Sequence, residues 1–411
     1  MRVTVVGGGL AGLAAALELA DGGQQVTLLE ARPTLGGAVQ TLPEREADPP
    51  PPPDNGQHIA LGCFEEYLRF LDRLGEGASY SRRRLSLPVI GEDRTVAKIS
   101  RSPISLLRYR HLSNRERLET LRVLLGLRRA EGDDDESFGA LLRRLGATDR
   151  QIERFWDVFV RPALNLPADE ASAAAGLFTV RTALLGRAKA ADIVLPTQPL
   201  GAMHGDAAGR ALEQAGATVS TGSRVESLDD VDADAIVVAV SAAESARLLR
   251  EPEPALETSP IVSVHLLFDR PIMRPRLAAL LGSPAHWMFD RGALTGHAPP
   301  EGGQYLTVVA SSVPELLEVR GKELVDLMAA ELTGRLGRAQ LVWSRVSREP
   351  YATIALRPGT QRERRGTATD RPNVFRAGAW TDTGWPATME GAVRSGRAAA
   401  RSILAMRAGA E

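Results

Sequence analysis

The sequence predicts an α/β fold in which a parallel-sheet domain is interrupted by an inserted α+β portion, and three observations carry that prediction. The run Arg2-Val3-Thr4-Val5-Val6 is short, β-branched and apolar, as a strand buried on both faces would be. It leads into Gly7-Gly8-Gly9-Leu10-Ala11-Gly12, which fits G-x-G-x-x-G at Gly7, Gly9 and Gly12, and then into a helical stretch, Leu13 to Ala20. After Gly22-Gly23 a second strand, Gln25 to Leu29, ends at Glu30.

Strand, glycine turn, helix and acid make a Rossmann-like unit. Gly7 permits the tight turn, Gly9 lets a pyrophosphate approach the backbone, and Gly12 lets helix and strand pack closely. The helix N-terminus at Leu10 and Ala11 favours phosphate charge. Glu30 can accept hydrogen bonds from both ribose hydroxyls and would repel a 2′-phosphate, which disfavours NADP. Ala31-Arg32-Pro33-Thr34-Leu35-Gly36-Gly37 continues the pattern as E-A-R-x-x-x-G-G. That block resembles the amine oxidase and phytoene desaturase class of flavoproteins, in which the double glycine approaches the FAD diphosphate and ribityl chain. The resemblance implies an FAD-binding domain of that type, with Gly36, Gly37, Ala31, Arg32 and Ala38 in the cofactor site. An arginine often follows the double glycine in that class. Ala38 removes this phosphate-facing charge but leaves the backbone contacts.

Composition narrows the function. The 411 residues suffice for two domains with substantial cores. A net charge of −1 gives no electrostatic case for nucleic acid. The single cysteine, Cys63, excludes a disulfide framework and a cysteine-built metal site, and no metal is expected. A strand beginning at the second residue leaves no room for a signal peptide, and no apolar run reaches the roughly 20 residues of a spanning helix. The expectation is a cytoplasmic protein, or one held on the inner face of the plasma membrane.

Taken in order, the chain divides into 1–62 (first FAD-binding part), 63–195 (mainly helical, facing substrate or membrane), 196–258 (second FAD-binding part), 259–365 (a substrate-domain sheet with one helix) and 366–411 (third FAD-binding part). Val39 to Pro43 reads as a short strand, and the five prolines ending at Pro53 as an exposed polyproline II loop. Asp54-Asn55-Gly56-Gln57-His58 then packs an acid, an amide and a histidine into five residues. A capped helix start with a hydrogen-bonded His58 is the structural alternative. Arg82 to Ser100 suggests a hairpin. The segment 101–129 alternates leucines with arginines, a basic amphipathic pattern suited to an anionic lipid surface or to an ordinary solvated helix face.

Helices follow at Phe138 to Leu145 and Asp149 to Arg161. Leu200 to Ala215 reads as helix, and Thr218 to Ser227 and Ala235 to Val240 as strands, with Val225 set to place its backbone against the adenine. Strands at Ile261 to Phe268, Ala285 to Phe289, Tyr305 to Ala310 and Leu341 to Val346 surround one helix, Pro314 to Leu336. Finally Asn373 to Trp380 forms a strand and loop. The helix beginning near Thr388 aims its free N–H groups at the flavin, adding Gly378, Ala379, Ala387, Thr388 and Met389 to the cofactor site.

Several blocks together are more specific. Asp54-Asn55-Gly56-Gln57-His58 with Leu61-Gly62-Cys63, Leu107-Arg108-Tyr109-Arg110-His111-Leu112-Ser113, Trp287-Met288-Phe289-Asp290-Arg291 and Trp380-Thr381-Asp382-Thr383-Gly384 resemble the hydroxysqualene dehydroxylase family, squalene-associated FAD-dependent desaturases of hopanoid synthesis. The resemblance spans nearly the whole chain. It implies reductive removal of an allylic hydroxyl from hydroxysqualene, an isoprenoid lipid, using FAD reduced by an electron donor the sequence does not name. His58 is the candidate acid that protonates the departing hydroxyl, with Asp54 orienting it or stabilising its charge. Trp287, Phe289, Trp380 and Trp385 are candidates to line the substrate channel and favour a cation. One departure stands out: the family pattern before Trp380 is alanine-glycine-aspartate, and this chain has Ala377-Gly378-Ala379. An oxidative carotenoid desaturase and a weakly FAD-binding, redox-inert lipid-binding homologue are the alternatives.

Overall fold

A computed structural model describes residues 1–408, so the last three residues of the segment 366–411 lie outside the described residues. Five parallel strands lie in the order Val374–Arg376, Ala235–Val238, Arg2–Val6, Gln25–Leu29, Thr218–Ser220. The chain winds outward from Arg2–Val6 first to one side and then to the other, and the carboxyl ends of the strands at such a reversal frame a ligand crevice. Thr218 to Ser227 is strand only as far as Ser220.

The helix Leu10–Asp21 is buried nearly all round, because the last helix, Met389–Ala408, covers its outer side. Small residues make that contact. A Cβ on Gly396 would come 2.0 Å from the Ala11 carbonyl oxygen, and one on Gly12 would come 1.8 Å from that of Gly7. The two ends of the chain are thereby locked together.

The second sheet has seven strands, in the order Leu341–Ile354, Thr258–Phe268, Gln304–Ser311, Trp287–Asp290, Leu277–Leu280, Ser86–Ile90, Val96–Ser100. Its pairs are antiparallel except that between Leu277–Leu280 and Ser86–Ile90. The hairpin expected between Arg82 and Ser100 therefore exists and also extends this sheet, so segments 63–195 and 259–365 share a layer. The strand starting at Leu341 runs on to Ile354. The expected helix Pro314 to Leu336 divides into a turn, Pro314–Leu316, and a helix, Gly321–Leu336. Downstream of Asp149 the helix passes through Pro162 to Leu164, after a π-helical turn at Ile152–Trp156. A small antiparallel sheet, Ala60–Leu61, Ile193–Pro196 and Tyr80–Arg83, joins the layers.

The proline run is not an exposed loop. Pro49, Pro51 and Pro53 are buried. The carbonyl of Pro43 accepts from Arg345 Nη2 at 2.9 Å and that of Pro52 from Arg291 Nη2 at 2.6 Å, while Asp48 pairs with Arg345. Two arginines buried against the seven-stranded sheet need acceptors, and proline carbonyls committed to no ladder supply them. The strand expected at Val39 to Pro43 reduces to a single bridge between Thr41 and Asp54.

Candidate active site

At the carboxyl end of Arg2–Val6 the glycine turn is shaped as its sequence requires. Gly7 has φ +107°, and a Cβ there would lie 2.3 Å from the Ala239 carbonyl oxygen. A Cβ on Gly9 would meet no atom nearer than Gly37 Cα at 3.7 Å, so its outer side is open. Gly9 is the N-cap of Leu10–Asp21, no side chain caps that helix end, and its first turn carries no acid. Gly36 N–H donates to the Gly8 carbonyl at 2.8 Å, which lays the double glycine beside the turn. Glu30 is held by Gly8 N–H on Oε2 (2.6 Å) and Arg32 N–H on Oε1 (2.7 Å). An open glycine face, an uncapped helix start and a fixed carboxylate fit a dinucleotide. Val225 is buried near this end, and its carbonyl accepts from Arg247 Nη2 at 3.1 Å.

From this turn a cavity of about 380 Å³ runs between the two sheets. Leu10, Gly36, Ala38, Ala379, Ala387, Thr388 and Met389 line its cofactor end. Leu85, Leu87 and Ile99 of the hairpin, Phe159 and Phe178 of the helices, and Trp287, Phe289 and Val309 of the sheet line the remainder. The lining is therefore mostly aliphatic and aromatic, as a greasy substrate needs. Trp287 and Phe289 stack with ring centroids 6.1 Å apart, and Trp385 takes Phe178 edge-on at 5.1 Å. Of the four candidate aromatics, only Trp380 is off the cavity. Its indole N–H donates to the Val240 carbonyl at 2.9 Å, which turns the ring into the core.

His58 lies on the cavity wall together with Asn55, Gly56 and Gln57. Burial lowers its pKa below the ordinary histidine value, and the nearby Asp54 charge opposes that shift. Asp54 does not orient the ring by a hydrogen bond among the described residues. Its Oδ1 accepts from Thr41 Oγ1 (2.8 Å) and Leu200 N–H (3.0 Å), and its Oδ2 from Arg291 Nη1 (2.6 Å). Asp54 acts on His58 through its charge.

Two groups on or near this site escaped the sequence reading. Glu349, on the long strand Leu341–Ile354, reaches the cavity, and burial raises its pKa. Alternation along Leu341 to Ile354 could have flagged an acid there. His204 is buried, with Nδ1 2.8 Å from the Leu200 carbonyl and Nε2 2.8 Å from Tyr67 Oη. A carbonyl can only accept, so Nδ1 carries the proton and Tyr67 donates to Nε2. Ala379 faces the cavity, and its carbonyl accepts from Arg364 Nη2 at 3.2 Å.

The family described as flavin containing amine oxidoreductase matches residues 10–404. Among curated proteins, hydroxysqualene dehydroxylases of Sinorhizobium fredii and Rhodopseudomonas palustris are 27% and 28% identical, each over 98% of this chain and 98% of theirs. A zeta-carotene desaturase of Synechocystis is 24% identical over 99% of this chain and 98% of its own. Cyclohexylamine oxidase from Brevibacterium oxydans shares the fold, with a TM-score of 0.74 at 17% identity over 98% of this chain and 99% of that one.

Proposed function

Because the chain belongs to the flavin containing amine oxidoreductase family and is a flavin-dependent oxidoreductase, we propose that it binds FAD and reductively dehydroxylates hydroxysqualene to squalene. The observation that carries this reading is the apolar cavity that begins at the glycine turn and has His58 in its wall. Likeness to the two hydroxysqualene dehydroxylases over 98% of the chain supports the choice of substrate.

When bound and reduced, FAD supplies a hydride to the substrate carbon. Gly9 would admit its diphosphate at the turn that Gly7 and Gly12 keep tight, Glu30 would take the ribose, and the N-terminus of Met389–Ala408 would favour negative charge on the ring system. Hydroxide leaves poorly, so His58 donates a proton to the departing oxygen as the carbon–oxygen bond breaks. Asp54 favours the charged imidazole that this step requires. The faces of Trp287 and Phe289 stabilise the delocalised allylic cation, and the mostly apolar wall limits the water that reaches it.

No helix among the described residues is long and apolar enough to cross a membrane. A lipid substrate is delivered through a surface contact instead. Ile104, Leu107, Leu118 and Leu125 are all about half exposed (58, 46, 53 and 54%). Exposed Arg108, Arg110, Arg122, Arg128 and Arg129 flank them, which suits the anionic inner face of a membrane. An external reductant recharges the flavin.

The test is single-turnover incubation of FAD-loaded, chemically reduced protein with hydroxysqualene, followed by mass spectrometry. Squalene formed with reduced but not oxidised flavin supports the reading. Likeness to the zeta-carotene desaturase favours a second reading, oxidative desaturation of a carotenoid, and new double bonds made by oxidised flavin would put that reading in place of the first.

A further inference from the structure

Among the described residues four arginines are buried: Arg291, Arg345, Arg364 and Arg376. Arg291, Arg345 and Arg376 meet the carboxylates of Asp54, Asp48 and Glu251. Arg364 is held by neutral oxygens instead. Its Nε donates to the Trp380 carbonyl (3.1 Å), and Nη1 to the Trp385 carbonyl (2.8 Å) and Gln361 Oε1 (3.2 Å). Its Nη2 donates to the carbonyls of Ala379 (3.2 Å) and Thr381 (2.6 Å). Every N–H of the guanidinium fork is thereby engaged.

Hydrogen bonds to carbonyls satisfy these donors without cancelling the charge. A low-dielectric interior screens what remains only weakly. Burial lowers the Arg364 pKa from the ordinary arginine value, and the charge of the exposed Asp382 opposes that shift. An arginine keeps its proton throughout. The loop that Arg364 fastens belongs to the cofactor end of the cavity, where Ala379 and Trp385 lie in the wall with Ala387, Thr388 and Met389. Arg364 stands behind that wall, so what it offers the cavity is its charge.

We infer that Arg364 is a positioning residue that sets the reduction potential of the bound flavin by favouring the negative charge the ring acquires on reduction. Two electrons from the external reductant and one proton from solvent convert the neutral oxidised ring into a reduced ring with one negative charge. A fixed positive charge favours that product over the oxidised ring, whereas it acts alike on the diphosphate in both states. Pairing the arginine with a carboxylate would cancel this field, and neutral carbonyls hold it in place without doing so. The inference rests on the flavin and not on which lipid the flavin reduces.

The test is the midpoint potential of the full-length, FAD-loaded protein, measured by dithionite titration against a reference dye. In Gln361→Glu the oxygen that accepts from Nη1 becomes a carboxylate, which offsets the charge and leaves the fork intact. Reduced flavin should then lose about 10-fold of its binding preference over oxidised flavin, a fall of about 30 mV for a two-electron couple. Arg364→Gln should fall likewise, while Arg364→Lys, which keeps the charge but not the fork, should stay near the wild type; melting temperatures confirm that the variants fold. A potential unchanged in Gln361→Glu overturns the proposal even if FAD binds more weakly, because a charge that serves the diphosphate alters affinity equally in both redox states. An equal fall in Arg364→Gln and Arg364→Lys also overturns it, since the fork and not the charge would then be responsible. Where the Arg364 variants do not fold, Gln361→Glu decides. The titration contains no lipid, so failure of dehydroxylation and failure of this assignment are read separately.

Discussion

Arg291 reaches Asp54 across 237 positions of sequence, with its Nη1 2.6 Å from Asp54 Oδ2 and each side chain only 2% exposed. Losing one partner of such a pair strands a buried charge, at about 3–5 kcal/mol. Arg291→Met should lower urea-unfolding stability by roughly that amount. Adding Asp54→Asn should return part of it, because the amide oxygen still accepts from Thr41 and Leu200. Unchanged stability in Arg291→Met would mean that the pair is solvated.

His58→Ala should keep its flavin spectrum and lose about 100-fold or more in turnover. Burial holds the His58 pKa below its ordinary value, so at neutral pH little of it is protonated. A donor of that kind works better in acid, and the wild-type rate should rise as pH falls below about 6.5. A flat pH profile, or normal turnover in the variant, removes His58 from the mechanism.

Two glycines of one motif should fail differently. Gly12→Ala drives a methyl into the Gly7 carbonyl and should cost about 1–3 kcal/mol of stability. Gly9→Ala meets no protein atom closer than 3.7 Å, so it should melt like the wild type and yet bind FAD at least about tenfold more weakly. Thermal melts and flavin titration on the same samples separate the two effects.

Ala379→Asp places a carboxylate on the cofactor end of the cavity. A charge-assisted hydrogen bond of about 1.5–3 kcal/mol would tighten FAD about 10- to 100-fold. Fluorescence titration of the apoprotein measures this, and unchanged affinity would show that the position carries no cofactor contact.

His204 and His286 are held at about 4, and His265 at about 3, chiefly by burial. Each is neutral in the fold and takes up a proton when unfolded below about pH 6.5. Their stabilisation is therefore complete above that pH and is lost as pH falls toward 4, at up to about 1.4 kcal/mol per histidine per pH unit. Urea midpoints should drop steeply between pH 7 and pH 5, and His204→Gln should flatten the slope.

The first thirty residues could be read directly, because strand, turn, helix and acid are neighbours in sequence and each glycine answers a local constraint. His58 and Trp287 fall on the cavity wall for a related reason, since both sit in compact blocks. Trp380 and Trp385 could not be separated by sequence, because the acceptor that turns Trp380 inward is the carbonyl of Val240, 140 positions away. Glu349 lies beyond the strand expected at Leu341 to Val346, because that strand owes its further length to pairing with Thr258–Phe268, and only alternation carried on to Ile354 points to it. The proline run was misjudged because composition reports what prolines do in water and says nothing of arginines arriving from residues 291 and 345.

Arg291 and Arg345 stitch that buried run to the seven-stranded layer, so any jaw-like parting there would first have to break two buried ion pairs. On the proposed function, a lipid guest would then slide in along the cavity rather than be closed upon, and turnover would be set by how quickly oil moves through that bore.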